Sequence, residues 1–109
     1  DTVLASYNYD GTDDLALSSV LSFGTNYLHM WRHGSGNLDS FLNNNTPATV
    51  TSGNTPFSGS LFVGCPRWDN SKSLDGAIAE LIFYDTALST GNIDLLGDSM
   101  VIPYGITWT

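Results

Sequence analysis

Leu74-Asp75-Gly76-Ala77-Ile78-Ala79-Glu80-Leu81-Ile82-Phe83-Tyr84-Asp85 decides how the rest of this 109-residue chain is read. A half-buried strand alternates apolar and polar residues with period two. Here Ile78, Ile82 and Tyr84 fall on one face of an extended chain and Ala77, Ala79, Leu81 and Phe83 on the other, with only Glu80 breaking the interior. Both faces are apolar, which predicts a central strand covered on both sides. Such a strand needs neighbours, and the flanking sequence supplies them.

Working downstream, Ser89 or Thr90 is placed to cap a helix, since a hydroxyl accepts from a free backbone N–H there. Ile93, Leu96 and Met100 recur at helical spacing as its inner face, while Gly91 and Gly97 limit it to two or three turns. Pro103 ends it, and Tyr104 to Trp108 is expected to return as a last strand. Upstream, Tyr27 to His33 carries Tyr27, His29, Trp31 and His33 on one face and Leu28, Met30 and Arg32 on the other. Gly34-Ser35-Gly36-Asn37 follows as a hairpin turn, and Leu38 to Asn43 returns. Ala48-Thr49-Val50-Thr51 reads as a short edge strand in a polar, proline-containing stretch. At the N-terminus Val3 to Tyr9 and Leu15 to Phe23 alternate around the turn Asp10-Gly11-Thr12-Asp13-Asp14, a second hairpin with Leu15, Leu17, Leu21 and Phe23 inward. No internal repeat is visible.

The order Leu61-Phe62-Val63-Gly64, a loop, Gly76-Ala77-Ile78-Ala79-Glu80-Leu81-Ile82-Phe83-Tyr84-Asp85, then Ala87-Leu88-Ser89, a helix and Tyr104-Gly105-Ile106 resembles the end of a laminin-G-like, concanavalin-A-like lectin-glucanase domain. The Tyr27–Asn43 hairpin is similar to the same family, except that Asn43-Asn44-Asn45 stands where an Asn-Gly turn is usual. The likeness runs over roughly Tyr27 to Ile106. It implies an all-β fold: one antiparallel β-sandwich of jelly-roll type spanning residues 1–109, with one short helix near the C-terminus. It also implies a longer domain, whose N-terminal strands lie outside this sequence or come from a partner. The fold hosts lectins, enzymes and interaction modules, so function rests on the site.

Composition narrows the choices. A chain of this length forms one domain, burying roughly 65% of its unfolded surface. Charged residues make up only 13%, with turns and surfaces built from Ser, Thr, Asn and Gly, a pattern typical of secreted or virion β proteins. Arg32, Arg67 and Lys72 are the only Lys and Arg residues, and the net charge is −8. No basic footprint for nucleic acid exists, and anionic membrane surfaces are disfavoured. No apolar run is long enough for a membrane span. The single Cys65 forms no intrachain disulfide and is expected to be a small buried hydrophobe. Asn44-Asn45-Thr46 is a glycosylation sequon, meaningful only in a eukaryotic secretory setting.

Several constellations carry candidate chemistry. His29 and His33 share a strand face, but four residues on a strand span about 13 Å, too far for one ion. With Tyr27 and Trp31 they form an aromatic, hydrogen-bonding stripe on which a sugar ring can stack. Arg67, Trp68, Asp69, Asn70 and Lys72 share one loop, where an indole beside two cations is the composition of a binding hot spot. Asp10, Asp13, Asp14, Asp69 and Asp75 are loop oxygen donors. Asp13, Asp14, Asp69 and Asp75 are the candidate calcium ligands, although no DxDxDG array is present. Glycoside hydrolysis needs two flanking carboxyls, and the resemblance implies an ExDxxE strand motif for it. Glu80 is the only glutamate and lacks that pair; it is expected to accept backbone hydrogen bonds within the sandwich. The reading is therefore a non-catalytic recognition or assembly module, outside the cell or on a cell or virion surface. It binds a glycan or a protein surface, copies of itself or a larger assembly, and needs no cofactor beyond the candidate calcium. Arg67, Trp68, Asp69, Asn70, Lys72, Trp31 and His33 are the contact residues. A virion decoration, cement or fibre module is the alternative, and a glycanase is disfavoured.

Overall fold

Two residues with positive φ set the register of the sheet. Ser35 and Gly36, at φ 53° and 75°, form the two-residue loop of a hairpin. This pairing of left-handed residues is the type I′ turn, whose twist matches that of the strands it joins. It closes Gly34 onto Asn37 and thereby puts Arg32 opposite Asp39 and Met30 opposite Phe41. The computed structural model describes residues 3–9, 13–52, 63–64 and 74–109. They divide into two compact units, Asp1–Thr55 with Thr86–Thr109, and Pro56–Asp85.

The first unit is antiparallel β with one helix. Strands β1 (Val3–Tyr9) and β2 (Asp13–Val20) form a two-stranded hairpin with a bulge between Val3 and Ala5. Strands β3 (His29–Gly34), β4 (Asn37–Leu42) and β5 (Ala48–Thr51) form a three-stranded sheet in that order. β2 lies against β4 and β5, and β1 against β4. Directly paired residues share a face. One face of the sheet therefore carries His29, Trp31, His33, Leu38, Ser40, Leu42, Ala48 and Val50. The other carries Met30, Arg32, Phe41, Asp39 and Thr49. β4 is buried on both: Leu38 on the first and Phe41 on the second are fully enclosed. The strand covered on both sides is thus β4.

Helix α1 (Thr90–Met100) starts where its cap sequence places it, with the Ser89 hydroxyl accepting from Asn92 N–H at 3.2 Å. Ile93 and Gly97 are its buried residues. A Cβ at Gly97 would lie 2.2 Å from the Trp108 indole, so only glycine lets that ring lie on the helix. Trp108 then donates from Nε1 to Asp94 Oδ1 at 2.8 Å. A 3-10 helix, Ile102–Tyr104, follows. The expected strand at Tyr104 to Trp108 is absent: residues 105–109 pair with Asn43 and Asn45 only through Thr109, whose N–H and C=O each make one backbone bond. The three asparagines Asn43, Asn44 and Asn45 each hold something. Asn43, at φ 56°, bonds Leu28 through its side chain and backbone; Asn44 caps the bend at Thr46 N–H; Asn45 reaches Asp94.

Three further expectations are corrected. Asp13 and Asp14 lie in β2 rather than in a loop, because the hairpin pairs Tyr9 with Asp13. Phe23, expected inward, is exposed, because β2 ends at Val20 and its alternation does not extend past it. In the second unit, residues 77–84 carry no strand, and Leu81 and Phe83 are 54% and 56% exposed. A strand exists only through the ladder of a neighbour, and apolar patterning cannot create that ladder. The proposed flank at Val63 and Gly64 is a bend, and Leu61 and Phe62 lie outside the described residues.

Candidate functional site

The site is built on the β3–β4 hairpin, which presents different chemistry on its two faces. On one, His29 Nε2 lies 2.9 Å from Ser40 Oγ, and His33 Nε2 lies 3.1 Å from Ser52 Oγ. Each pair has the makings of a nucleophile and its base. Ser40 and Ser52 are, however, only 2% and 5% exposed, so no substrate carbonyl reaches either hydroxyl. The two contacts instead satisfy buried polar groups, which are costly if left unpaired. Between them Trp31 is 39% exposed, with the histidines on either side along the strand.

Burial pushes the His29 imidazole down to about 4 from an ordinary 6.5, because the charged form loses its hydration. A group whose native pKa lies below its unfolded value is protonated first in the unfolded chain. Its effect is therefore nil above pH 6.5, stability falls as pH drops from 6.5 to about 4, and the loss levels off below that. The span corresponds to about 3 kcal/mol. Urea denaturation at pH 7 and pH 4 is expected to show His29→Gln losing less stability than the wild type. Equal losses would mean that His29 is protonated in the native state.

On the other face lies a network that sequence reading missed. Arg32 donates from Nε and one terminal nitrogen to Asp39 Oδ2, at 2.9 and 2.7 Å, and Thr49 Oγ1 donates to Asp39 Oδ1 at 2.6 Å. These three residues are directly paired across β3, β4 and β5. The remaining terminal nitrogen of Arg32 donates to Leu88 O at 2.9 Å and Thr90 Oγ1 at 3.3 Å. The Arg32 guanidinium carbon also lies 5.4 Å from the centre of the Phe41 ring, within cation–π reach. A nearly buried ion pair thus bolts the start of α1 to the sheet. The signal for it was present: a two-residue loop at Ser35-Gly36 places Arg32 opposite Asp39.

A cleft of about 280 Å³ opens above this pair. It is lined by Arg32, Gly34, Ser35, Asn37 and Asp39 of the β3–β4 hairpin and by Ala87-Leu88-Ser89. Gly34 sets its width, since a Cβ there would stand 3.0 Å from Ala87 Cβ.

Of the sequence-derived contact residues, Trp31 and His33 share a face of β3, and His33 is tied to Ser52. Arg67, Trp68, Asp69, Asn70 and Lys72 lie outside the described residues, as does Cys65. Leu74 N–H donates to Gly64 O. Asp75 and Glu80 are exposed, so Glu80 is not the buried acceptor the sequence suggested; the apolar run around it is itself exposed. Among the described residues no three His, Cys, Asp or Glu side chains group closely enough to hold a metal ion. No described helix is long and apolar enough to cross a membrane. Compared with known proteins, the chain matches no family, no curated protein and no solved structure.

Proposed function

We propose that the chain is a non-catalytic recognition module, a β-sandwich of jelly-roll type acting outside the cell or on a cell or virion surface, which binds a glycan or a protein surface. The observation that carries this reading is Trp31: a large indole, 39% exposed, on a regular strand between two histidines. A rigid aromatic ring gives contact area at little entropic cost, and Trp is among the residues most enriched at hot spots. The burial of Ser40 and Ser52 and the presence of a single glutamate, Glu80, weigh against hydrolysis. The loop of Arg67, Trp68, Asp69, Asn70 and Lys72 is proposed as a second contact.

Trp31→Ala is expected to weaken binding to a responsive member of an immobilised glycan and protein panel more than tenfold, the effect of losing a hot spot of about 2 kcal/mol. Its circular dichroism and urea midpoint should stay close to the wild type. A variant that binds normally but unfolds much earlier would make the ring a packing element and remove the reading's main support.

The exposed run from Ile78 to Tyr84 favours a second reading, an assembly brick such as a virion decoration, cement or fibre module. Contiguous exposed apolar surface marks interaction sites. Concentration-dependent association in sedimentation, abolished by Leu81→Asp, would select this reading over the first.

A further inference from the structure

The cleft at the end of the β3–β4 hairpin has a chemistry distinct from the Trp31 face. Its lining contains one positive and one negative group held together, Arg32 and Asp39, so it offers no net charge to an ion. An anion would enter the field of the Asp39 carboxylate in a chain of net charge −8, and a cation that of the guanidinium. What the cleft does offer is hydrogen bonding in both senses. Four hydrogen bonds use four of the five N–H groups of Arg32, leaving one on the terminal nitrogen that faces Asp39. Asp39 accepts three bonds and is only 6% exposed, so it balances the charge of Arg32 without itself meeting a ligand. Ser35 and Asn37 line the cleft, and their side chains make no hydrogen bond among the described residues. Ala87 adds an apolar side chain to the lining.

A neutral ligand with closely spaced hydroxyls matches this set. Vicinal hydroxyls both donate and accept, so a hydroxyl, an amide and an N–H can be served by one ring, whose C–H edge suits the apolar Ala87. Ordinary small-molecule sites enclose roughly 300–1,000 Å³. At about 280 Å³ this cleft takes one ring, not an extended chain. We infer that the cleft bounded by Ser35, Asn37, Asp39, Arg32 and Ala87 binds a single sugar ring or similar neutral polyol. The inference rests on the recognition reading and specifies its ligand at a place separate from Trp31.

The test is amide chemical-shift titration of the isotope-labelled chain with a panel of neutral methyl hexosides, and separately with sodium acetate and ammonium chloride. The expected result is saturable shifts at Ser35, Gly36, Asn37 and Ser89 with at least one hexoside and none with the salts. Asn37→Ala should weaken that response at least tenfold while leaving the spectrum folded, since its carboxamide makes no hydrogen bond to another described residue. Saturable shifts at the cleft with acetate or ammonium alone would overturn the neutral ligand class. Hexoside shifts confined to Trp31 and His33 would overturn the cleft and leave the recognition reading standing. No saturable shift at tens of millimolar of any hexoside would overturn the cleft proposal, while the Trp31→Ala comparison judges the recognition reading separately.

Discussion

Asp39→Ala is expected to destabilise the chain by about 3–5 kcal/mol, because it leaves the Arg32 guanidinium partly buried without its counter-ion. Arg32→Ala should have a similar effect by stranding Asp39, which also holds Thr49. The magnitude comes from abandonment of a buried charge, not from the net worth of the pair, and the two accounts make different predictions. If abandonment dominates, the double variant Arg32→Ala/Asp39→Ala loses far less than the sum of the single losses. An apolar pair, Arg32→Met with Asp39→Leu, should then come close to wild-type stability, since well-packed apolar replacements of buried ion pairs are often neutral. Urea midpoints of the four proteins decide the matter. Single-variant losses below about 0.5 kcal/mol, the range of ordinary surface substitutions, would place the pair in solvent. The bond from Arg32 to Leu88 O adds a local signature: Arg32→Ala should raise amide exchange at the start of α1 more than at its centre.

Local chemistry was legible in the sequence wherever one or two residues fix the backbone. Ser35-Gly36 set the hairpin, Ser89 set the start of the helix, β1 falls on the residues whose alternation marked it, and β5 falls on the stretch read as a short edge strand. Long-range consequences were harder to read. The tail was expected as a strand because Tyr104 to Trp108 is apolar and aromatic, but it is held by one indole on one glycine, a bond to Asp94 and two backbone bonds at Thr109. No periodicity encodes a contact between a helix glycine and a terminal tryptophan. The Arg32–Asp39–Thr49 row was recoverable from the turn length, yet Arg32 was read only as sharing a strand face with Leu28 and Met30. Period two places His29, Trp31 and His33 on one face, and β3 keeps them there. The cleft was not legible, because part of its lining belongs to Ala87-Leu88-Ser89, about fifty residues further along the chain.

The second large effect separates the two segments that compete for the role of central strand. Phe41→Ala should lose about 3–5 kcal/mol, by transfer of the ring and by the cavity left in a fully enclosed site. Leu81→Ala, at a position 54% exposed, should lose no more than about 0.5 kcal/mol, since little apolar surface changes its environment. The sequence alone argues the reverse ordering, because residues 77–84 are the most continuously apolar stretch and β4 contains Asp39 and Ser40. Hydrophobic content and burial part company here for a physical reason. Asp39 and Ser40 can sit inside because Arg32, Thr49 and His29 satisfy them, so a polar strand becomes the enclosed one. Equilibrium urea unfolding of both variants, with m-values compared to confirm the same transition, reads the difference directly. A loss at Leu81 equal to that at Phe41 would restore the segment around Glu80 as a core strand and would require a ladder partner for it.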